Sequence, residues 1–294
     1  MSAASSTTSL RSVGRRGADR RGRSWYIASG AVLSLLFLCP LLWAVVRSLM
    51  TNADILAPVS AHSFAHLGLG NYAALLGGSV NLWPYIANSF IVCVSTAAAT
   101  AAISTLAGYG LGRFRFPLAN VSFALILVTL MIPFQAILTP LFLEFHALGL
   151  SDSRLGLVVF YTTFNLPFGV FVMRNTFAAM PKELEDSAYM DGCGVWMTLF
   201  RVLRPLAVPG VATTLLYTFL SSWTEFLGAL TFLTRQDLFT LPVSLVNLQQ
   251  GTYGQLDFGL LAAGAVIAMI HCVILFVALQ RYYVAGLSAG AVKG

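Results

Sequence analysis

The sequence predicts an all-α membrane protein with six transmembrane helices and a short additional helix in the loop between the fourth and the fifth. Two features of the composition predict this class: 57% of the residues are hydrophobic and only 10% are charged, whereas charged residues make up about 25% of an ordinary soluble domain. A third observation is that apolar windows recur along the chain, each of the roughly 20 residues that a helix needs to cross a bilayer. Helices are expected because the bilayer core offers the backbone no hydrogen-bond partners of its own.

The apolar windows divide the chain into three regions. Residues 1–24 are rich in Ser, Gly and Arg and are predicted to be a disordered, cytoplasmic N-terminus. The first window begins at Trp25 and lacks the small-residue cleavage pattern of a signal peptide, so it is predicted to be a span. A transmembrane domain is predicted over residues 25–285 and a cytoplasmic tail over 286–294. The six spans are expected at 25–46, 86–112, 119–143, 154–177, 205–230 and 258–281.

The basic residues predict the orientation of these spans. With both termini inside, 14 of the 17 Lys and Arg residues fall in inner segments, and only Arg47, Arg154 and Arg235 lie outside. The positive-inside rule requires this asymmetry. The sequence therefore predicts a multi-pass protein of the bacterial inner membrane with cytoplasmic termini.

Several other classes are disfavoured. The net charge of +6 does not indicate a nucleic-acid partner, because the basic residues are neither interleaved with aromatic residues nor gathered on a soluble domain. The four cysteines are far apart and show no CxxC spacing, so neither a disulfide framework nor a metal site is predicted. No GxxxxGK[ST] phosphate loop occurs, so any nucleotide must be bound by another chain.

The inner loop over residues 178–204 differs from every other connection because it is long and acidic. Pro181 suits the first turn of a helix, three acidic residues suit a helix N-terminus, and Gly192 can adopt the left-handed conformation that ends a helix. Leu184, Ala188 and Asp191 share a face too narrow to bury this helix in its own protein. It is expected either to need a partner or to be an ordinary solvated helix at the interface.

The same loop carries a resemblance to a known family. The segment DSA at 186–188, followed by Gly192 and by VLRP at 202–205, resembles the EAA loop of binding-protein-dependent ABC importer permeases. Segments outside the loop resemble the carbohydrate-uptake class, particularly the maltose-type permeases: GYGLGRFRF (108–116), MIPFQAILTPLF (131–142), LPFGVFVMRNTF (166–177), SSWTEFLGALTFL (221–233) and GLSAGAVKG (286–294). Three positions depart from the family pattern: Asp186 replaces the usual glutamate, Ser187 an alanine and Arg204 a leucine.

This resemblance implies a function for the loop. In the family the loop is a coupling helix that docks on a cytoplasmic ATPase subunit, so the same task is expected here. The expected coupling residues are Glu183, Glu185, Asp186, Ser187, Ala188, Asp191, Gly192 and Pro205. The implied partners are a second homologous permease, two ATPase subunits that bind ATP and Mg, an extracytoplasmic solute-binding protein and a sugar substrate, within membrane lipid. The chain itself is expected to be non-catalytic and to hold no cofactor.

Polar and aromatic residues at membrane depth are candidates for a solute pathway. They are Gln135, Asn165, Phe168, Trp223 and Glu225. Aromatic faces and carboxylates suit the CH surfaces and hydroxyls of sugars. The alternative for Glu225 is a structural hydrogen-bond anchor near the outer interface, and amides such as Asn88 can equally tie helices together. His271 is predicted to have a packing or hydrogen-bonding role.

Two rival functions remain open on the residues alone. A proton-coupled secondary transporter would need titratable groups in the spans, where Glu225 and His271 are nearly the whole supply. A membrane-embedded enzyme is disfavoured because HExxH, GxSxG and paired carboxylates are missing from the sequence. A neutral sugar is favoured over a phosphorylated one, because few basic residues lie outside and none lies within the predicted spans.

Overall fold

The computed structural model describes residues 13–58, 61–64, 66–78, 80–249 and 256–291, and all regular structure in these ranges is helical. The α-helices, in chain order, are α1 (Val13–Ser48), α2 (Asn52–Leu56), α3 (Gly70–Gly77), α4 (Trp83–Arg113), α5 (Ala119–Thr129), α6 (Phe134–Ala147), α7 (Arg154–Ala178), α8 (Glu183–Met190), α9 (Val195–Met197), α10 (Arg204–Thr224), α11 (Leu227–Phe232), α12 (Leu241–Gln249) and α13 (Phe258–Ala291). Short 3₁₀ turns occur at Ala61–Phe64 and Gln236–Leu238, and a π-helical segment spans Thr198–Leu203. The all-α prediction is confirmed.

Membrane-length helices account for the predicted spans. Within the described residues, five helical stretches are long and apolar enough to cross a bilayer: Trp25–Ser48, Trp83–Arg113, Arg154–Ala178, Val195–Thr224 and Phe258–Ala278. A bent pair, α5 and α6, supplies a sixth crossing if it is taken as one span. The number of crossings therefore agrees with the prediction when the pair is counted once.

The predicted third span, 119–143, is divided into two helices. Helix α5 ends at Thr129, α6 begins at Phe134, and their axes are bent by 97°. Pro133 has no N–H to continue the helix, and it restricts the residue before it to extended conformations. The last turn of α5 closes with shorter-range bonds, including one from the Met131 N–H to the Val128 carbonyl.

The predicted fifth span, 205–230, does not coincide with a single helix. Helix α10 ends at Thr224, and the backbone of Glu225 is extended before α11 begins at Leu227. Toward the N-terminus the helical stretch starts earlier than predicted, because α9 and the π-helical segment run directly into α10. The break places Glu225 between two helices and not inside one.

The chain ends also differ from the predicted boundaries. Residues 13–24, expected to be disordered, continue α1 toward the N-terminus, consistent with the high helix propensity of arginine. The last helix extends into the predicted tail as far as Ala291. Residues 1–12 and 292–294 lie outside the described residues.

Small residues let α4 and α7 pack more extensively than any other pair of helices in the described part of the chain. Ser104, Gly108 and Gly112 recur every fourth residue along one face of α4, a spacing that allows close approach of membrane helices. A Cβ at Gly108 would lie 2.5 Å from the Cβ of Met173 and 2.7 Å from the backbone nitrogen of Arg174. This contact leaves no space for a side chain at position 108.

Amide side chains join the ends of the helices to the loops by hydrogen bonds. Asn88 of α4 donates from Nδ2 to the carbonyls of Asp237 (2.8 Å) and Phe239 (3.0 Å). Asn71 donates to the carbonyls of Ser48 and Met50, both at 2.9 Å. Asn88 is therefore a structural tie between a span and a loop.

We predict that Gly108→Ala lowers the free energy of unfolding by about 1–3 kcal/mol, because the added methyl group meets backbone that cannot move easily. Gly110→Ala is the matched control, since nothing lies within 4 Å of a Cβ at that position. The control is expected to be neutral or to stabilise by up to about 1 kcal/mol. Thermal unfolding of the purified protein in detergent measures both, and equal effects of the two substitutions would contradict the close packing.

Candidate functional site

The acidic helix of the 178–204 loop has well-defined ends. Helix α8 carries all three of its acidic residues in its first turn, where they complement the positive helix N-terminus. At its other end Gly192 has φ of +80°, and its N–H donates to the Tyr189 carbonyl. The next N–H, of Cys193, donates to the Ala188 carbonyl at 2.9 Å. These two bonds form a Schellman motif, which confirms the helix stop predicted at Gly192.

One face of α8 packs against the body of the protein. Ala188 is buried, and half-buried Leu184 packs against a cluster that includes Leu199 and Leu203 of the π-helical segment. Asp191 does not continue this face, because the helix has ended at Met190 and the aspartate is exposed.

Glu185 lies on the buried face and is paired with a transmembrane helix. Its Oε2 is 3.1 Å from Nε of Arg113, the last residue of α4, and the two side chains are only 11% and 4% exposed. The guanidinium also donates to the carbonyls of Met180 (3.0 Å) and Pro181 (3.1 Å). The sequence indicated Glu185 as part of the docking surface, whereas its carboxylate is directed into the protein.

The opposite face of α8 is exposed and combines acidic with apolar side chains. Glu183, Asp186 and Ser187 are exposed on it. Met190 is 88% exposed, and Trp196, just beyond the glycine turn, is 64% exposed and stacks on Phe200 at 6.1 Å. Sequence reasoning missed Met190 and Trp196, although large apolar residues in an acidic inner loop are a recognisable signal for a binding surface. Pro205 lies in the first turn of α10, where proline is favoured.

The aromatic and amide candidates for the solute pathway are not brought to one surface. Trp223 is 2% exposed, donates from Nε1 to the Ala268 carbonyl at 3.2 Å and stacks on His271. Asn165 is buried and donates to the Tyr161 carbonyl in its own helix. Gln135 is exposed near the start of α6. Trp223 and Asn165 therefore contact the interior of this chain.

Glu225 is held by three protein donors. Its Oε2 accepts from the Tyr161 hydroxyl at 2.6 Å and from the Ala229 N–H at 3.2 Å, and its Oε1 accepts from the Gly228 N–H at 2.8 Å. The carboxylate thus satisfies the free N–H groups at the start of α11 and links this helix to α7. This geometry corresponds to the structural anchor that the sequence left open as an alternative.

Phe168 is brought together with an aromatic residue that the sequence did not indicate. Its ring stacks on Tyr217 of α10 with the centroids 3.8 Å apart and the planes 28° from parallel. Phe168 is half-buried and Tyr217 is 43% exposed. The pair presents an aromatic face with a hydroxyl between α7 and α10.

A carboxylate joins the loop before α7 to the segment after α11. Asp152 Oδ1 accepts from the backbone N–H groups of Arg235 (3.0 Å) and Thr234 (2.9 Å). These hydrogen bonds, the one from Arg235 foremost, lower the pKa of Asp152 below its usual value. Because the folded pKa is depressed, the stabilisation is present above the unfolded pKa and is lost as the pH falls through the folded pKa. No group of metal-ligating side chains occurs within the described residues.

A protein-family model and several known proteins match this chain. The model, described as "Binding-protein-dependent transport system inner membrane component", matches residues 104–288. The chain is 33% identical to the probable ABC transporter permease protein YurM of Bacillus subtilis, over 94% of this chain and 92% of that protein. It is 32% identical to the arabinooligosaccharides transport system permease protein AraQ of the same organism (90% and 93% covered) and 30% identical to the trehalose transport system permease protein SugB of Mycobacterium tuberculosis (94% and 99% covered).

The fold is similar to a solved structure. A chain in the crystal structure of a bacterial ABC transporter involved in the import of the acidic polysaccharide alginate superposes with a TM-score of 0.74. The superposition covers 95% of this chain and all of that chain at 22% sequence identity. At this identity the likeness is one of fold.

We predict that Glu225→Ala lowers the free energy of unfolding by about 2–3 kcal/mol, because it leaves a buried hydroxyl and two N–H groups without an acceptor. The neighbouring Thr224→Ala is the control: Thr224 is exposed and bonds only to carbonyls of its own helix, so a change within about 0.5 kcal/mol is expected. Thermal unfolding in detergent measures both. A Glu225→Ala protein of unchanged stability would instead favour a role for this carboxylate in contact with solute.

Proposed function

This chain belongs to the family of binding-protein-dependent transport system inner membrane components, and we propose that it is one transmembrane half of an ATP-driven importer for a sugar or oligosaccharide. The family predicted from the 178–204 loop and the other quoted segments is thereby confirmed. The chain is a multi-pass inner-membrane protein and a non-catalytic permease component, as its relatives are named permease proteins of transport systems. The proton-coupled transporter is the less favoured alternative.

The observation that carries the coupling role is the exposed acidic and apolar face of α8. This face comprises Glu183, Asp186 and Ser187, and it is flanked by Met190 and Trp196. An exposed apolar surface rimmed by charges is typical of a protein-protein interface. We infer that it docks on the ATPase partner, with Asp186 supplying charge, Met190 and Trp196 filling apolar contacts, and Gly192 holding the end of the helix.

The complete importer requires partner subunits, including those that bind ATP. ATP and Mg are proposed to bind to two ATPase subunits, since this sequence has no phosphate-binding loop. A second homologous permease would close the pathway, and an extracytoplasmic binding protein would deliver the solute. The excess of Lys and Arg in the segments assigned to the inside supports cytoplasmic termini and a cytoplasmic α8.

The solute class is proposed from the relatives and from the Phe168–Tyr217 pair. Two of the relatives are named for arabinooligosaccharides and for trehalose. A stacked aromatic pair with a hydroxyl suits a sugar, whose CH faces contact rings and whose hydroxyls need hydrogen-bond partners. Exposed Gln135 is retained as a candidate for contact with solute. Buried Trp223 and Asn165 and half-buried Glu225 are proposed to support the pathway through packing and hydrogen bonds.

We predict that Gly192→Val reduces ATP-driven uptake by about tenfold or more while the protein stays inserted in the membrane. A β-branched residue at φ +80° costs roughly 1–2 kcal/mol in backbone strain, which distorts the end of the docking helix. Gly194→Ala is the control, because its φ of −79° suits any residue and nothing lies within 4 Å of its Cβ.

The measurement is the amount of ATPase subunit that copurifies with each variant, together with uptake of trehalose, maltose and arabinooligosaccharides into vesicles. Gly194→Ala is expected to match the unmodified protein in both. Full retention of the ATPase and full transport by Gly192→Val would contradict the docking role.

We predict that Tyr217→Ala raises the half-saturating sugar concentration by about two- to tenfold, the equivalent of one aromatic stacking interaction. The control is Phe171→Leu. Phe171 lies on α7 and is exposed to a similar degree as Tyr217, but its ring stacks on Phe123 and not on Phe168. Uptake by the reconstituted complex, measured with the same three sugars, gives the concentration dependence. Identical curves for Tyr217→Ala and the unmodified protein would remove this pair from the proposed pathway.

A further inference from the structure

We propose that Arg113 is a positioning residue that fixes the inner end of α4 to the docking helix α8, so that movement of α8 is passed to the transmembrane helices. This inference rests on the proposed function, because it assumes that an ATPase moves α8. It differs from that proposal in naming the contact through which the movement leaves the loop.

The geometry of Arg113 is that of a clamp. One planar guanidinium reaches three points of the loop: the Glu185 carboxylate (3.1 Å) and the carbonyls of Met180 (3.0 Å) and Pro181 (3.1 Å). The two hydrogen bonds of this fork hold the carbonyls in orientation as well as in distance, which a flexible lysine ammonium does not, and Nε makes the ion pair with Glu185. The two carbonyls belong to residues that lie 67 and 68 positions after Arg113 in the chain. These contacts are therefore tertiary links between two separate elements.

The burial of the pair argues against an ordinary surface ion pair. The Arg113 and Glu185 side chains are 4% and 11% exposed, whereas Arg235 and Asp237 of the other ion pair in the described residues are 62% and 60% exposed. An exposed pair contributes little, because water screens it. A buried pair is strongly disrupted when one partner is removed, because the remaining charge has no compensation.

Arg113 lies where α8 meets the end of α4. Helix α8 packs mainly on the π-helical segment, and its other face is exposed. One turn before Arg113 on α4, the Tyr109 ring packs edge-on against Phe177 at 5.3 Å and against Phe114 at 5.4 Å. These rings hold the end of α4 on the end of α7. A displacement passed to Arg113 is therefore shared by the most closely packed pair of helices in the described chain.

The sequence alone gave Arg113 and Glu185 other roles. The arginine counted toward the positive charge of the inner side, and the glutamate toward the docking surface. The structure assigns them to each other, with the glutamate on the inward face of α8 and the arginine at the last residue of the span.

The test uses the complete complex purified with its ATPase and second permease. Hydrogen exchange at α8 and at the inner third of α4 is compared between the nucleotide-free state and the state with ATP and vanadate. In the unmodified complex both segments are expected to respond to nucleotide. In Arg113→Gln the response of α8 is expected to remain, whereas the response of α4 falls by about threefold or more.

Two further variants keep the test decisive. Glu185→Gln removes the ion pair but leaves the two bonds from Arg113 to backbone carbonyls, so an intermediate loss at α4 is expected even if Arg113→Gln assembles poorly. Arg115→Gln is the control, because Arg115 is an exposed inner arginine two residues further on, and its complex is expected to respond fully. A role in stability alone would raise exchange equally in both states and leave their difference unchanged.

The outcomes separate the two proposals. Undiminished nucleotide responses at α4 in both Arg113→Gln and Glu185→Gln would overturn the positioning role. An unmodified chain that retains no ATPase, or whose α8 does not respond to nucleotide, would overturn the proposed function itself.

Discussion

Every backbone N–H and carbonyl within the bilayer must find its partner inside the protein, and this constraint organises the whole chain. Within a long helix the backbone groups bond to each other, but at a break in a helix they need other partners. At the break between α10 and α11, the Glu225 carboxylate accepts the N–H groups of Gly228 and Ala229. In the loops, Asn88 donates to the Asp237 carbonyl, and Asp152 accepts the N–H of Thr234. Charged and amide side chains are thus placed where helices are interrupted.

The two ends of the helix bundle are built in different ways. One end is closed by short helices and side-chain hydrogen bonds that tie its loops to the spans. The other end instead presents α8, with one face packed on the π-helical segment and the other exposed. An exposed helix held by a buried ion pair and a glycine stop can transmit force without being deformed itself. This arrangement suits a permease whose energy comes from a neighbouring subunit.

Local sequence patterns predicted the structure correctly where one short segment determines it. The helix stop at Gly192 follows from the conformational freedom of glycine, and the apolar windows near residues 86–112 and 154–177 became α4 and α7. The third window, 119–143, did not locate the break between α5 and α6, because apolar composition does not report a break, although Pro133 lies directly before α6. Glu225 and Glu185 were ambiguous because a carboxylate has the same sequence signature whether it faces solute, a partner or its own protein.

The sequence by itself determined the membrane class, the all-α fold, the family and the position of the short acidic helix α8, because these depend on composition, local periodicity and short motifs. Only the tertiary structure decided which side chains meet: Arg113 with Glu185, Tyr161 with Glu225, Phe168 with Tyr217, and Trp223 with His271. Three of these pairs join residues 49 or more positions apart. Such contacts depend on how the helices rotate and cross, and the close packing of all the helices sets that geometry. It leaves no local trace in the sequence.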